Sequence, residues 1–133
     1  MRIVIMGCGR LGARVAAELA AEGHEVCVID LDEGAFRWLP RDFPGRMVVG
    51  NGVDVDVLRD AGTENADVFM ALANGDNRNA MATQVALHLL EARRVVARIF
   101  DPERAEIYRE LGVRTVNPTT IVTDLLREAA FGE

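Results

Sequence analysis

Short apolar runs alternate with longer amphipathic stretches along the whole chain. The first run, 3–6, is Ile-Val-Ile-Met with no polar residue between, which is typical of a central parallel strand covered on both faces. The predicted strands are residues 3–6, 26–30, 46–49, 67–72, 95–99 and 113–116. Their alternation with helical segments predicts an α/β, doubly wound Rossmann fold with a six-stranded parallel sheet, strand order 3-2-1-4-5-6 and helices on both faces.

The segments between the strands have helical periodicity and helix boundary residues. The predicted helices are residues 10–22, 31–39, 54–60, 76–91, 101–112 and 118–130. The first carries Leu11, Val15 and Leu19 at four-residue spacing, with alanines beside them, as expected of a helix with one apolar face. The 31–39 segment contains Phe36 and Trp38, which we interpret as packing residues rather than as ligand-stacking residues.

Two later helices carry apolar stripes. The segment 76–91 is predicted to be the longest helix, and its stripe consists of Met81, Val85 and Leu89. The last helix has candidate residues for a partner or dimer surface: Ile121, Leu125, Leu126 and Phe131. For Ile121 and Leu125 we expect packing on the domain itself instead.

A glycine-rich turn follows the first strand. Gly7, Gly9 and Gly12 have the G-x-G-x-x-G spacing, in which the glycines allow a tight turn, the approach of a pyrophosphate to the backbone, and close helix–strand packing, respectively. The helix that follows directs its N-terminal amides toward an anion in the turn. The strand–turn–helix context predicts a dinucleotide or nucleotide site.

The second strand ends in Asp30, 18 residues after Gly12, where a carboxylate can accept the ribose hydroxyls of an adenosine. The same charge repels a 2′-phosphate, and Leu31 and Asp32 follow it instead of an arginine. NADP is therefore disfavoured as a ligand. NAD(H) and a simple adenine nucleotide (AMP, ADP or ATP) both stay open.

Further candidates lie at the carboxyl ends of the other strands, where ligands of doubly wound sheets bind. Asn51 and Gly52 follow the third strand, and the Asn51 amide could meet the adenine edge. Ala73 and Asn74 follow the fourth strand, and Asn74 either enters the crevice or caps its turn. Arg98 lies near the end of the fifth strand.

Two side chains of the glycine loop add their own chemistry. Arg10 is favoured as a phosphate contact, because a cation at a helix N-terminus is unfavourable unless an anion is present; the alternative is a solvated surface charge. Cys8 is interpreted as an inert small side chain, with a low-pKa redox thiol as the alternative.

Composition narrows the class of protein. A net charge of −6 argues against nucleic-acid binding, and the sequence has neither a secretory signal nor an apolar run that could insert in a membrane. The two cysteines and two histidines have no disulfide or metal-ligand pattern, so no metal and a cytoplasmic location are expected.

The sequence contains no lysine and no serine, which excludes a P-loop lysine, a Schiff-base lysine and a serine nucleophile. We therefore expect no catalytic residues and no enzyme.

Motifs over the whole length of the chain carry a resemblance. The first half contains Gly7-Cys-Gly-Arg-Leu-Gly12, Gly23-His-Glu-Val26, Gly50-Asn-Gly-Val-Asp54 and Leu58-Arg-Asp-Ala-Gly62. The second half contains Asp67-Val-Phe-Met-Ala-Leu72, Asn79, Ala97-Arg98, Asp101-Pro-Glu103, Leu111-Gly112 and Val116-Asn-Pro118. Together these motifs resemble the N-terminal subdomain of the RCK (regulator of potassium conductance) family, also called TrkA-N or KTN.

The resemblance implies a cytosolic, non-catalytic subunit or domain that gates a potassium channel or transporter, forms dimers or rings, and binds NAD(H) or ADP/ATP. It implies that Asp30 holds the ribose and that Arg10 reaches phosphate, also across a dimer. The other residues implied to line the phosphates are Gly7, Gly9, Leu11 and Gly12, and those implied near the adenosine are Asp32, Asn51 and Gly52.

The chain departs from the family pattern in two ways. Relatives commonly have Asp-x-Thr where this chain has Asn51-Gly-Val53, so a hydroxyl is missing there. Many members also continue into a C-terminal ligand-binding subdomain, whereas this sequence stops at Glu133. We interpret 1–133 as a single Rossmann-type domain, with 118–130 as a candidate crossover or dimer element, and both a single-lobed member and a truncated piece of a longer protein stay open. The alternative functions are an NAD-dependent oxidoreductase or a fragment of one, and the regulatory domain of a cation–proton antiporter.

Overall fold

A computed structural model describes residues 1–132 of the chain. The strands are β1 (Arg2–Met6), β2 (Glu25–Asp30), β3 (Arg46–Val49), β4 (Val68–Ala71), β5 (Val95–Arg98) and β6 (Arg114–Val116). The α-helices are α1 (Arg10–Ala21), α2 (Val55–Asp60), α3 (Asp76–Gln84), α4 (Pro102–Glu110) and α5 (Pro118–Phe131). A 3-10 helix spans Glu33–Trp38, and a π-helical segment spans Val85–Leu89.

The six strands form one parallel sheet in the order β3-β2-β1-β4-β5-β6, which confirms the predicted fold class and topology. The central strand β1 pairs with β2 on one side and with β4 on the other, with Ile5 opposite Val28 and Met70. Ile5 and Val28 are fully buried. The unbroken apolar run of β1 thus has the expected cause, because helices cover both faces of this strand.

Helix α1 packs on one face of the sheet through its smallest side chains. Ala13 and Ala16 are buried there, while Leu11 is exposed; Val15 and Leu19 are only partly buried, at the margin of the same cluster. The Leu11–Val15–Leu19 stripe is therefore wrong as the core face of α1. The glycine turn brings the helix too close to the sheet for large side chains.

Helices α2, α3 and α4 cover the other face, where Leu58, Phe69 and Leu90 are fully buried. The segment predicted as a helix over 76–91 is helical over 76–89, but α3 ends at Gln84 and continues as the π-helical segment. The buried residues of α3 are Asn79, Ala80, Ala82 and Thr83, and the stripe predicted from Met81 to Leu89 has both of its end residues exposed. Wider π turns shift the register of the helix, so that Leu90 returns to the core.

The segment predicted as a helix over 31–39 is a 3-10 helix. The carboxylate of Asp32 caps it by accepting the N–H of Gly34 at 2.9 Å, and the segment ends before Pro40. Pro40 disfavours a helical conformation at the preceding residue, which keeps this connection short.

Helix α5 is the longest α-helix among the described residues, and none of its residues is buried. The packing expected for Ile121 and Leu125 is wrong, because both are about half exposed. Phe131 is 83% exposed. Helix α5 therefore presents an apolar surface. No helix within residues 1–132 is long and apolar enough to cross a membrane.

At the amino-terminal edge of the sheet, Asp67 connects β1 to β4. Its carboxylate accepts the N–H of Arg2 at 2.8 Å, and its own N–H donates to the Arg2 carbonyl at 3.0 Å. The hydrogen bond from Arg2 lowers the pKa of the Asp67 carboxyl, because it favours the charged form.

A group with a lowered pKa in the folded state stabilises the protein above its unfolded pKa, about 3.9 for aspartate. We expect Asp67→Asn to lower the melting temperature at pH 7, and the difference from the parent chain to shrink as the pH falls to about 3. Thermal unfolding across this pH range checks it. A difference that stays constant, or one matched by Asp42→Asn at an exposed loop position, would contradict this role.

Candidate functional site

The glycine loop is built by backbone contacts. Gly7 has a φ of +105°, and a Cβ added there would lie 2.7 Å from the amide nitrogen of Ala73. A Cβ on Gly12 would collide with the carbonyl oxygen of Gly7, whereas a Cβ on Gly9 would meet nothing within 4 Å. Gly7 and Gly12 are thus required by the turn itself, and Gly9 leaves an open backbone surface.

Helix α1 begins directly after Gly9 and has no acidic residue in its first turn. Its first amides have no helical acceptor, and the helix dipole favours negative charge at this end. Because these amides lie next to the open surface of Gly9, the loop has the features of an anion site.

The carboxylate of Asp30 ties the end of β2 to this loop. One oxygen accepts the N–H of Cys8 at 2.8 Å, and the other accepts the N–H of Asp32 at 2.9 Å. Each carboxylate oxygen has a second lone-pair direction, so Asp30 could accept a ribose hydroxyl while it keeps both backbone hydrogen bonds.

A cleft of about 320 Å³ opens between the glycine loop, the 3-10 helix and the turn after β4. A smaller recess of about 50 Å³ adjoins it beside Asp30 and is lined by the ends of β1, β2 and β3. The larger volume is within the range of small-molecule sites, about 300–1,000 Å³. Both lie at the carboxyl ends of the strands, at the switch point between β1 and β4, as predicted for this fold.

The turn after β4 is held by Asn79 and Arg98. The Asn79 side chain is fully buried, accepts the N–H of Ala73 at 2.9 Å and donates to the carbonyls of Ala73 and Arg98, each at 2.8 Å. The Arg98 guanidinium donates to the carbonyls of Leu72 and Ala73 and to the Asn74 amide oxygen. These two side chains position the backbone that Gly7 touches.

The predicted site residues fall into three groups. Those lining the large cleft are Gly7, Cys8, Gly9, Asp30, Asp32, Ala73 and Asn74, and those lining the recess include Asp30, Leu31, Gly52 and Ala73. Those that line neither are Arg10, Leu11, Gly12, Asn51 and Arg98. Asn51 instead closes its own turn, with its amide oxygen accepting the N–H of Val53 at 3.1 Å. The ligand contacts of all these residues stay predictions.

The Cys8 thiol is fully buried. Burial, together with the smaller effect of the nearby negative charge of Asp30, raises its pKa to about 11. A thiol with such a pKa carries almost no thiolate at neutral pH. This favours the interpretation of Cys8 as a small filling side chain over a redox-active one.

Three charged or aromatic residues of the cleft are absent from the predicted site residues: Arg37, Trp38 and Arg78. The Trp38 ring is 42% exposed, which differs from the packing role expected for it. The guanidinium carbons of Arg10 and Arg37 lie 4.5 and 5.0 Å from its ring centroid. The sequence does show an arginine next to a tryptophan, Arg37-Trp38, shortly after Asp32. Only the 3-10 helix, however, brings these two side chains to the cleft.

The fold and the cleft define a Rossmann-type domain with the geometry of a nucleotide site. The model of the TrkA-N domain family matches residues 3–118. The chain therefore belongs to the TrkA-N domain family, as the sequence resemblance indicated. The Trk system potassium uptake protein TrkA of Streptomyces coelicolor is 51% identical over 116 residues, which cover 87% of this chain and 52% of that protein. The chain spans about half the length of the curated relatives it matches.

Solved structures share the fold. The TrkA-N domain of the inner membrane protein ybaL from Escherichia coli superposes with a TM-score of 0.85 at 19% identity, covering 96% of this chain and 95% of that one. GsuK bound to ADP gives a TM-score of 0.84 at 22% identity and covers 99% and 35%. The GsuK channel bound to NAD gives 0.77 at 21% identity and covers 90% and 22%.

We predict opposite outcomes for alanine at two glycines of the loop. Gly12→Ala should destabilise the fold by about 2–3 kcal/mol, because its Cβ meets the Gly7 carbonyl and the backbone must shift. Gly9→Ala should leave the stability unchanged, since its Cβ enters open space, and should weaken binding of a phosphate-bearing ligand. Denaturant unfolding and ligand titration measure the two effects, and equal stability of the two variants would refute the packing role of Gly12.

A second prediction concerns Asn79. Asn79→Leu keeps the approximate side-chain size but leaves the N–H of Ala73 without its acceptor, so we expect a loss of about 2–3 kcal/mol and faster hydrogen exchange at Ala73. Asn77→Leu on the exposed side of α3 is the matched control and should change the stability by less than about 0.5 kcal/mol. Unchanged exchange at Ala73 in Asn79→Leu would argue against the positioning role.

Proposed function

We propose that this chain is a non-catalytic, nucleotide-sensing regulatory domain of a potassium channel or transporter. The observation that carries the proposal is the cleft in which the open backbone of Gly9, the N-terminus of α1 and the carboxylate of Asp30 converge. Its membership of the TrkA-N family and the potassium uptake function in the name of its relative from Streptomyces coelicolor support the physiological setting.

The proposed ligand is NAD(H) or an adenine nucleotide. Its phosphates would lie on Gly9 and the first amides of α1, its ribose on Asp30, and its adenine in the recess beside Gly52. The structurally similar GsuK proteins, one bound to ADP and one to NAD, support both an adenine nucleotide and NAD(H) as ligands. A 2′-phosphate would meet the charges of Asp30 and Asp32, so NADP is disfavoured.

Arg10 is proposed to contact the phosphates that ADP and ATP carry in addition to the single phosphate of AMP. It begins α1, and among residues 1–132 no carboxylate pairs with its guanidinium. Arg37 and Arg78 line the cleft and offset the charges of Asp30 and Asp32. The site would thus combine a carboxylate for the sugar with cations for the phosphates.

We further propose that the domain works as a homodimer or ring, on the cytoplasmic face of the membrane, through contact with a membrane-embedded transport subunit. The exposed apolar residues of α5, including Leu125, Leu126 and Phe131, support an assembly surface. Nucleotide binding would then shift the assembly between two arrangements by differential affinity for them.

An oxidoreductase is the weaker alternative, because it needs a proton donor near the ligand. The two candidates outside the glycine loop are His88, on the π-helical segment, and Tyr108, which packs against the core cluster under α4. Neither lines the cleft or the recess among the described residues, which supports a binding function over catalysis.

We predict that calorimetric titration of ligand-stripped protein detects binding of at least one of NAD+, NADH, AMP, ADP and ATP, with NADP+ bound at least about tenfold more weakly than NAD+. Arg10→Ala should weaken ADP and ATP by several-fold and leave AMP nearly unchanged, since a charge-assisted hydrogen bond to phosphate is lost. Binding of NADP+ as tight as that of NAD+ would contradict the role of Asp30.

The matched control is Arg14→Ala. Arg14 lies one turn further along α1, is exposed, and forms a surface pair with Glu18 at 3.6 Å. Arg14→Ala removes the same charge from the same helix as Arg10→Ala, so a general electrostatic effect on nucleotide binding would appear equally in both variants. Failure to detect any of these nucleotides would overturn the proposed function.

A further inference from the structure

Trp38 is the single tryptophan of the sequence, and it forms one wall of the cleft. The guanidinium groups of Arg10 and Arg37 both lie over its ring, 4.5 and 5.0 Å from the centroid. Tryptophan attracts such cations through the negative face of its ring, and at an exposed site the attraction shifts an equilibrium by about two- to fivefold. Two guanidinium cations on one ring also repel each other, so we ask what this arrangement does for the cleft.

The two arginines are held differently. Arg37 also donates from its guanidinium to the carbonyl of Gly34 at 2.7 Å, within its own 3-10 helix, so the backbone fixes it. Among residues 1–132, Arg10 has no comparable hydrogen bond or ion pair, and its guanidinium contacts the ring of Trp38. Trp38 therefore determines where the Arg10 charge lies.

The position of Arg10 on Trp38 keeps it away from the ligand space. Arg10 follows Gly9, whose backbone lines the cleft, yet Arg10 itself lines neither the cleft nor the recess. A cation near the N-terminus of α1 is repelled by the helix dipole while the anion site is free. An anion there reverses the local charge, and a phosphate oxygen competes with the ring for the guanidinium.

We infer that Trp38 withholds Arg10 from the phosphate end of the cleft, and that a nucleoside diphosphate must draw Arg10 off the ring whereas a monophosphate leaves it in place. Trp38 is then a specificity-determining positioning residue that acts through Arg10 and weakens binding of the diphosphate relative to the monophosphate. This inference rests on the proposed nucleotide site and on the proposed phosphate contact of Arg10.

Calorimetric titration with ADP and AMP tests the inference in four chains: the parent, Trp38→Leu, Arg10→Ala and the double variant. Trp38→Leu should raise the ratio of ADP affinity to AMP affinity by about two- to fivefold. In the Arg10→Ala background, the same substitution should leave this ratio unchanged. Trp38→Phe should give a smaller change than Trp38→Leu, because a phenyl ring retains part of the cation attraction.

The emission of Trp38 provides a second readout in the parent chain, without any substitution. ADP should change the emission spectrum as Arg10 leaves the ring, AMP should leave it almost unchanged, and Arg10→Ala should abolish the ADP effect while Arg14→Ala retains it. Since Trp38 is partly exposed, Trp38→Leu should fold, and circular dichroism verifies that it does.

The outcomes separate the two proposals. If ADP binds but Trp38→Leu leaves the ratio of ADP to AMP affinity unchanged, or weakens ADP as Arg10→Ala does, the withholding role is overturned and the nucleotide site stands. A spectrum that responds equally to AMP and ADP also overturns it. If the parent chain binds no adenine nucleotide, both proposals fall.

Discussion

The structure depends on one close approach of backbone to backbone. The turn at Gly7 lies against the amide of Ala73, and Gly12 lies against the carbonyl of Gly7. These contacts bring α1 near the sheet, so its buried residues are Gly12 and three alanines, and its larger residues lie at the margin or are exposed. They also place the first amides of α1 beside the end of β4. The geometry of the candidate site is thus a consequence of steric contacts that only glycine permits.

Hydrogen bonds from three side chains to the backbone stabilise this arrangement. Asp30 accepts backbone N–H groups from the glycine loop and from its own turn, and Asn79 and Arg98 hold the turn after β4. All three bind backbone groups that would otherwise lie partly buried without partners. The loops around the cleft are therefore fixed before any ligand arrives, which lowers the entropy cost of binding.

Charges of both signs line the cleft. Asp30 and Asp32 lie where the ribose is proposed, while Arg37 and Arg78 line the same space from the 3-10 helix and from α3. Such a mixed site suits a ligand with a neutral diol at one end and phosphates at the other. The chain is acidic overall, with a net charge of −6. The arginines at the cleft have more influence on an anionic ligand than this overall charge, because screening limits long-range electrostatic interactions.

The strand order, the glycine turn and the place of Asp30 could be predicted without the structure, because each follows from a pattern along the chain: β-branched runs alternating with helices, glycine spacing, and a carboxylate at a strand end. The sequence also indicated the family. It did not determine which faces of α1 and α3 are buried, since a close approach and a π turn select small residues over the more apolar stripes. Nor could the sequence show that Arg10 and Arg37 meet at the Trp38 ring, or that Asn79 binds the backbone of Ala73. Those arrangements join separate elements of the chain, so they depend on how the elements pack.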